Sequence, residues 1–403
     1  MALKLILILT LTLTFANADL YEEDNFRRQY LYERSLTVND LIERQGYPSE
    51  THKVTTEDGY ILTLHRIPHN RNNDAITRGV VFVMHGLLSS AADWVVLGPH
   101  QGLPYLLSDE GYDVWLGNAR GNTQSRNHTS LKVKRGAFWQ FSWNEIGYYD
   151  LPAMIDYVLD FTGEGQLSYV GHSQGTTSFF VMASSRPEYN KKIKSMHALA
   201  PVAYMSHMKS PLIRFLVPFA NSVDWLTNAI GLHEFLPSTK ILIELGAKIC
   251  KDGSALQPIC SNTLFILCGY NPAQLNTTAL PAILAHVPAG ASTKQVLHYG
   301  QLVSSGKFRK YDFGLIKNKQ KYGTSVPPAY DLKQVTAPVA LHYSDNDWMA
   351  HIKDVNKLES ELSNVIGKFR ILDGKFNHLD FLWGIDAKDL VYSKLISIMN
   401  RFA

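Results

Sequence analysis

Three cysteines in 403 residues is a small number, and none of them stands in a paired Cys-x-x-Cys spacing. A thiolate zinc site and a disulfide-framework fold are therefore not expected. An excess of one charge is also missing. With 39 Lys and Arg against 36 Asp and Glu, the formal net charge is +3, and no long basic block occurs. Nucleic acid is not an expected partner. No uninterrupted apolar run reaches the roughly 18 residues that a membrane helix needs. Internal repeats and low-complexity tracts are lacking as well. What is present is 45% hydrophobic and 19% charged residues, the composition of a large folded body.

The N-terminus reads as a targeting segment. Lys4 follows the start, Leu5 to Phe15 is apolar, and Ala16-Asn17-Ala18 is a small-x-small cleavage site before Asp19. Residues 1–18 are thus expected to be a signal peptide, too short in their apolar part to span a bilayer. Passage through the secretory pathway gives the cysteines meaning. Cys250 and Cys260 are the expected pair, since Gly253 and Pro258 between them favour a turn, while Cys268 ends an apolar run and is expected to be buried and free. Asn127-His128-Thr129 and Asn276-Thr277-Thr278 are glycosylation sequons.

Strand and helix patterns alternate along most of the chain. His52 to Pro68 reads as a hairpin around Glu57-Asp58-Gly59. Apolar strands follow at 79–84, 113–116, 167–170 and 194–199. Trp143 to Asp160 has helical spacing, with Pro152 as a kink or a true helix start. After about Ala203 the alternation stops and helical runs separated by breakers take over. It resumes with a strand at 339–343, a helix near 354–362, a strand at 368–372 and a final helix. The expected class is α/β with a mostly parallel sheet. Residues 19–203 and 331–403 would form its core, and 204–330 a helical cap and lid insertion.

The chemistry centres on Gly171-His172-Ser173-Gln174-Gly175. A buried strand before and an apolar-faced helix after put Ser173 at the apex of a sharp turn, where its hydroxyl projects. A serine hydroxyl needs a base, and the base needs an orienting carboxylate. On such a sheet they follow in the order Ser, acid, His. His378, in the loop after the last strand, is the expected base. Ser344-Asp345-Asn346-Asp347 follows the preceding strand, and Asp347 is favoured over Asp345 because it follows a full turn and precedes the apolar Trp348-Met349-Ala350. His351 reads as a capping or surface residue. The oxyanion donors are expected to be the N–H groups of Gln174 and of Leu87 in His85-Gly86-Leu87-Leu88, with His85 structural. The bland alternatives are a glycine-rich turn at Ser173 and a surface histidine at 378. No cofactor or metal is expected.

The segment from Pro211 to Phe219, with Trp225-Leu226 and Leu264 to Leu267, is apolar and nearly uncharged. Over the serine it would make a lid whose opening exposes a surface for a lipid interface. As ordinary cap helices it would have no such role. Together with His85 to Leu88, Gly111 to Asn122, the Ser173 elbow, the cysteine cluster and Asn377 to Phe381, the chain resembles the acid lipase family of gastric and lysosomal lipases. The resemblance implies an α/β-hydrolase core with a helical cap, acting on triacylglycerols or cholesteryl esters, in a secreted or lysosomal protein. It matches Ser173, Asp347 and His378 to the triad, Leu87 and Gln174 to the oxyanion donors, and Cys250 and Cys260 to the disulfide. One departure is Ser344-Asp345, where the family has Gly-Gly. Other readings are an esterase for small soluble esters, a serine peptidase, and a non-catalytic lipid carrier or storage protein. Oligomeric state is not legible.

Overall fold

The structure, a computed structural model, describes residues 28–72, 76, 78–217, 231–236 and 267–403. Within them a nine-stranded sheet runs in the order β1-β2-β4-β3-β6-β7-β10-β11, with the short β5 beside β2. The strands are β1 Glu50–Thr55, β2 Tyr60–Ile67, β3 Val80–Met84, β4 Asp113–Gly117, β5 Asn127–His128, β6 Leu167–His172, β7 Ile193–Leu199, β10 Val339–Tyr343 and β11 Val365–Arg370. A separate two-residue ribbon pairs β8 (Glu234–Phe235) with β9 (Ala291–Ser292). That ribbon lies in the region expected to be wholly helical.

β1 and β2 form the expected antiparallel hairpin, and β2 joins β4 antiparallel; β4, β3, β6, β7, β10 and β11 are mutually parallel. β3, β4, β6 and β10 are buried at every position. That is why they are mostly apolar, β3 without a break: crossover helices cover both faces of a parallel sheet. Each such Val, Leu or Phe contributes roughly 1.5–3 kcal/mol by burial. β1, on the edge, alternates between partly buried and exposed. β11, the other edge, is partly buried up to Phe369 and exposed at Arg370, and it spans Val365–Arg370, earlier than the expected 368–372. An edge strand with a half-wet face lacks the apolar run that marks the central strands.

The 143–160 region is helical without a break, as expected, but its hydrogen-bond pattern changes along the way. A short turn, Trp143–Glu145, passes through a π-helical turn, Ile146–Asp150, into the helix Leu151–Thr162, with Pro152 in its first turn. The π turn stands just before Pro152, whose missing N–H cannot continue the regular helical ladder. The π turn brings Asp150 under Arg120, whose backbone N and Nε both donate to it at 3.0 and 2.7 Å.

Chain order reverses across the middle of the sheet. From β3 the chain goes outward to β4 on one side, then returns to β6 on the other. Loops at the carboxyl ends of strands diverge at such a switch point and leave a crevice. Met84 and Gly171, the last residues of the β3–β6 pairing, are register partners. The His85 loop and Ser173 therefore emerge side by side. Tyr343 and Arg370 are likewise partners near the ends of β10 and β11, so the Asp347 and His378 loops also leave together.

Candidate active site

Ser173 has φ 52° and ψ −115°, between β6 and the helix Gln174–Ser185. This left-handed φ is unfavourable for a residue with a Cβ, and it is held by its neighbours. The Ser173 N–H donates to the carbonyl of Leu199 at 3.0 Å, and its own carbonyl accepts from Thr176 and Thr177. The flanking glycines are required by proximity. A Cβ on Gly171 would meet the Gly175 carbonyl carbon at 2.8 Å, and one on Gly175 would press into the Met84 carbonyl oxygen.

His378 Nε2 lies 2.8 Å from Ser173 Oγ, and His378 Nδ1 lies 2.8 Å from Asp347 Oδ2. All three residues are buried. Asp347 Oδ1 accepts the N–H groups of Met349 and Ala350 at 2.8 and 2.7 Å, which fixes the carboxylate plane. With its Nδ1 proton committed to the carboxylate, the imidazole presents a lone pair at Nε2 to the hydroxyl. Asp345 points elsewhere and pairs with Arg370. His351 caps the helix Ile352–Glu361, its Nδ1 accepting from Lys353 N–H at 3.2 Å, and is buried rather than at the surface.

The loop after β3 packs against the elbow. A Cβ on Gly86 would sit 3.2 Å from Ser173 Cβ. His85 Nε2 accepts the Ala119 N–H at 3.0 Å, so the proton is on Nδ1, which donates to the Gly86 carbonyl at 2.8 Å. In a trans peptide the N–H is opposite the carbonyl, so this bond sets the direction of the Leu87 N–H. Burial lowers the His85 pKa to about 4 and keeps the ring neutral. The N–H of Gln174 opens its helix, where the first N–H groups lack intrahelical acceptors. Its side chain donates to Gln295 Oε1 at 2.8 Å, from the helix Thr293–Ser305.

Sequence reasoning did not identify the supports of this loop, although the motif holding them, Gly117 to Asn122, stood out. Asn122 Nδ2 reaches His85 Nε2 at 3.1 Å, and Asn118 Oδ1 accepts from Ala91 N–H at 3.0 Å. Arg120 is buried, bridges Asp58 and Asp150, and stacks 3.9 Å from the Tyr60 ring centre. Cys268 is buried and unpaired. Cys250, Cys260, residues 1–18 and, of the apolar lid segment, residues 218–219, 225–226 and 264–266 lie outside the described residues. Asn127 is exposed and Asn276 partly so. Among the described residues no helix is long and apolar enough to cross a membrane, and no cluster of His, Cys, Asp and Glu is arranged to hold a metal ion.

The alpha/beta hydrolase fold family matches residues 79–385, and a partial alpha/beta-hydrolase lipase region matches 38–98. Lipase 3 of Drosophila melanogaster is 49% identical over 364 residues, spanning 90% of this chain and 92% of that protein. Human lysosomal acid lipase/cholesteryl ester hydrolase is 41% identical over 374 residues, 92% of each chain. Rat gastric triacylglycerol lipase is 42% identical over 372 residues, 91% of this chain and 92% of its own. A solved structure from Sulfolobus solfataricus shares the fold at TM-score 0.60 and 14% identity, covering 89% of this chain and 95% of that one. The chain therefore belongs to the acid lipase family of carboxylic ester hydrolases, built on the α/β-hydrolase fold.

Proposed function

We propose that this protein hydrolyses carboxylic esters of neutral lipids, triacylglycerols and cholesteryl esters among them, through Ser173, His378 and Asp347. The observation that carries this is the continuous hydrogen-bond line from Ser173 Oγ through both ring nitrogens of His378 to Asp347, each link 2.8 Å. In the reaction Ser173 Oγ attacks the ester carbonyl carbon as His378 Nε2 takes its proton. The carbonyl π electrons move onto oxygen, where the N–H groups of Leu87 and Gln174 receive the negative charge. His378 then returns the proton to the departing alkoxide, leaving an acyl group on Ser173. Water repeats the sequence with the acyl-enzyme and releases the fatty acid. Each oxyanion donor is worth roughly 10²–10³ in kcat.

Residues 204–330 are proposed as a cap and lid inserted between β7 and β10, with 19–203 and 331–403 as the core. The contact of Gln295 with Gln174 supports a cap that rests on the elbow. The apolar composition of 211–219 supports a lipid interface as the working surface. Relatives named for lysosomal and gastric lipases, together with the N-terminal segment 1–18, support a secreted or lysosomal destination. A Cys250–Cys260 disulfide and glycans on Asn127 and Asn276 belong to the same reading.

The test is a substrate panel with the Ser173→Ala variant as control. Emulsified long-chain triacylglycerol, a cholesteryl ester and a monomeric short-chain ester are compared. Hydrolysis of the emulsified lipids by the parent and its loss in Ser173→Ala are expected. Turnover of the short-chain ester alone would make the protein a soluble-ester esterase, and full activity in Ser173→Ala would remove the serine from the mechanism.

A further inference from the structure

The residues around Cys268 touch both loops on which the acid and base stand. The Cys268 carbonyl accepts the N–H of Trp348, next to Asp347, at 3.2 Å and that of His378 at 3.5 Å. Gly269 accepts from Asn377 Nδ2 at 3.1 Å, and Tyr270 accepts from Asn346 Nδ2 at 3.0 Å. Gly269 has φ 118°, and a Cβ there would strike the Asn346 carbonyl oxygen, so the close approach needs glycine. Asn271 Nδ2 donates to Asp380 Oδ2 at 2.8 Å. The same oxygen accepts the Asn377 N–H at 2.7 Å, while Asn377 Oδ1 accepts from Leu379 and Asp380. Gln274 then binds Asp386 twice, at 2.8 and 2.9 Å, and its carbonyl accepts from Ile385 at 3.1 Å. Successive residues of one strap thus bond the acid loop, the base loop, or both.

We propose that the strap from Cys268 to Gln274 positions His378 against Asp347 and Ser173, with Asn271 and Asp380 as the pair that locks it to the base loop. This rests on the triad reading above. β10 and β11 bring the two loops out side by side, but β11 is an edge strand, and its loop leaves toward solvent at Leu372, which is 89% exposed. The chain must then return inward to bury His378. Asp380 makes the return tight, because one carboxyl oxygen gathers a backbone N–H from its own turn and an amide N–H from the strap. Asn271 and Asp380 are both buried, so neither bond competes with bulk water.

Asp380 has no Lys or Arg ion-pair partner among the described residues. Burial raises its pKa to about 7; Asn377 N–H and Asn271 work against the rise, and the Asp373 and Asp347 carboxylates add to it. Burial pushes the Cys268 thiol up, and the Asp347 and Asp380 carboxylates add to the rise. In acid Asp380 is neutral and still accepts both bonds. As pH passes its pKa, a second negative charge develops beside Asp347. An amide at 380 keeps the acceptor and never ionises.

The experiment measures kcat, KM and melting temperature for Asn271→Ala, Asp380→Ala and Asp380→Asn on a soluble short-chain ester, with His378→Ala alongside. Displacing a catalytic group by about 1 Å costs up to roughly 10²-fold, so Asn271→Ala and Asp380→Ala should lose about 10- to 100-fold in kcat with KM nearly unchanged. Asp380→Asn should restore kcat in acid and flatten the parent's change in kcat near pH 7. Parent-like kcat in both alanine variants overturns the proposal. So does a loss that Asp380→Asn fails to rescue. Activity surviving in His378→Ala would instead overturn the triad reading itself. If Asp380→Ala does not fold, Asn271→Ala and Asp380→Asn carry the comparison.

Discussion

His85 Nδ1 donates its proton to the carbonyl oxygen of Gly86 across 2.8 Å, and this single bond orients the peptide whose N–H belongs to Leu87. The ring is held from behind by the N–H of Ala119 and the amide of Asn122. Replacing His85 with Phe keeps the ring volume and removes the donor. A loss of roughly 10²-fold in kcat with little change in KM is expected, the scale of one missing oxyanion donor. Steady-state kinetics on a soluble ester checks it, and a parent-like kcat would mean that the peptide is held without the imidazole.

The two aspartates after β10 should behave very differently. Asp347→Asn leaves the shape intact but favours the wrong imidazole tautomer, and a loss of up to roughly 10⁴-fold in kcat is expected. Asp345 only pairs with the largely exposed Arg370, so Asp345→Asn should stay close to the parent in rate and melting temperature. Equal effects of the two changes would contradict the hydrogen-bond line described above.

Gly175→Ala is expected to destabilise the fold as well as the site. Its Cβ would be driven into the Met84 carbonyl at the end of β3, a backbone atom that cannot rotate away. Overpacking of this kind costs about 1–3 kcal/mol. Denaturant unfolding reads that loss directly. Gly165, where a Cβ meets nothing within 4 Å, is the control position for the same substitution.

Acid stability reflects two opposed sets of buried groups. Burial lowers His65, His85 and His286 to about 4, and His298 and His342 to about 3, from an ordinary 6.5. The unfolded chain then binds more protons between those values and 6.5, so stability falls as pH drops through that window. Burial raises Asp93 and Asp380 to about 7 and Asp150 to about 6, from an ordinary 3.8. There the folded state binds more protons, and stability rises as pH drops from 7 toward 4. The histidines are more numerous, so a net fall in melting temperature below pH 6.5 is expected. His342→Leu should make that fall shallower, and Asp93→Asn should make it steeper. Melting curves from pH 7 to 4 measure both slopes.

Much of the architecture was legible because buried parallel strands leave apolar runs, unbroken at Val80–Met84 and interrupted only by His342 at Val339–Tyr343. The edge strand β11 was placed late because a partly wet strand carries no such run. Pro152 was visible, but the π turn before it was not, since its consequence is the bond between Asp150 and Arg120 across the fold.

The sequence by itself determined the order of strands and helices, the strained turn at Ser173 between two close-packed glycines, and the order in which Ser173, Asp347 and His378 come along the chain. These follow from local patterns, in which burial period and turn chemistry are written residue by residue. Only the tertiary structure decided that Asp347 rather than Asp345 meets His378, that His85 aims the Gly86–Leu87 peptide, and that Asn271 reaches Asp380. Those partners are 31, 34 and 109 residues apart where they bridge distant segments, as in Asp347 to His378, His85 to Ala119 and Asn271 to Asp380. A hydrogen bond across such a distance depends on where the sheet delivers each loop, and it imposes no periodicity on the residues between.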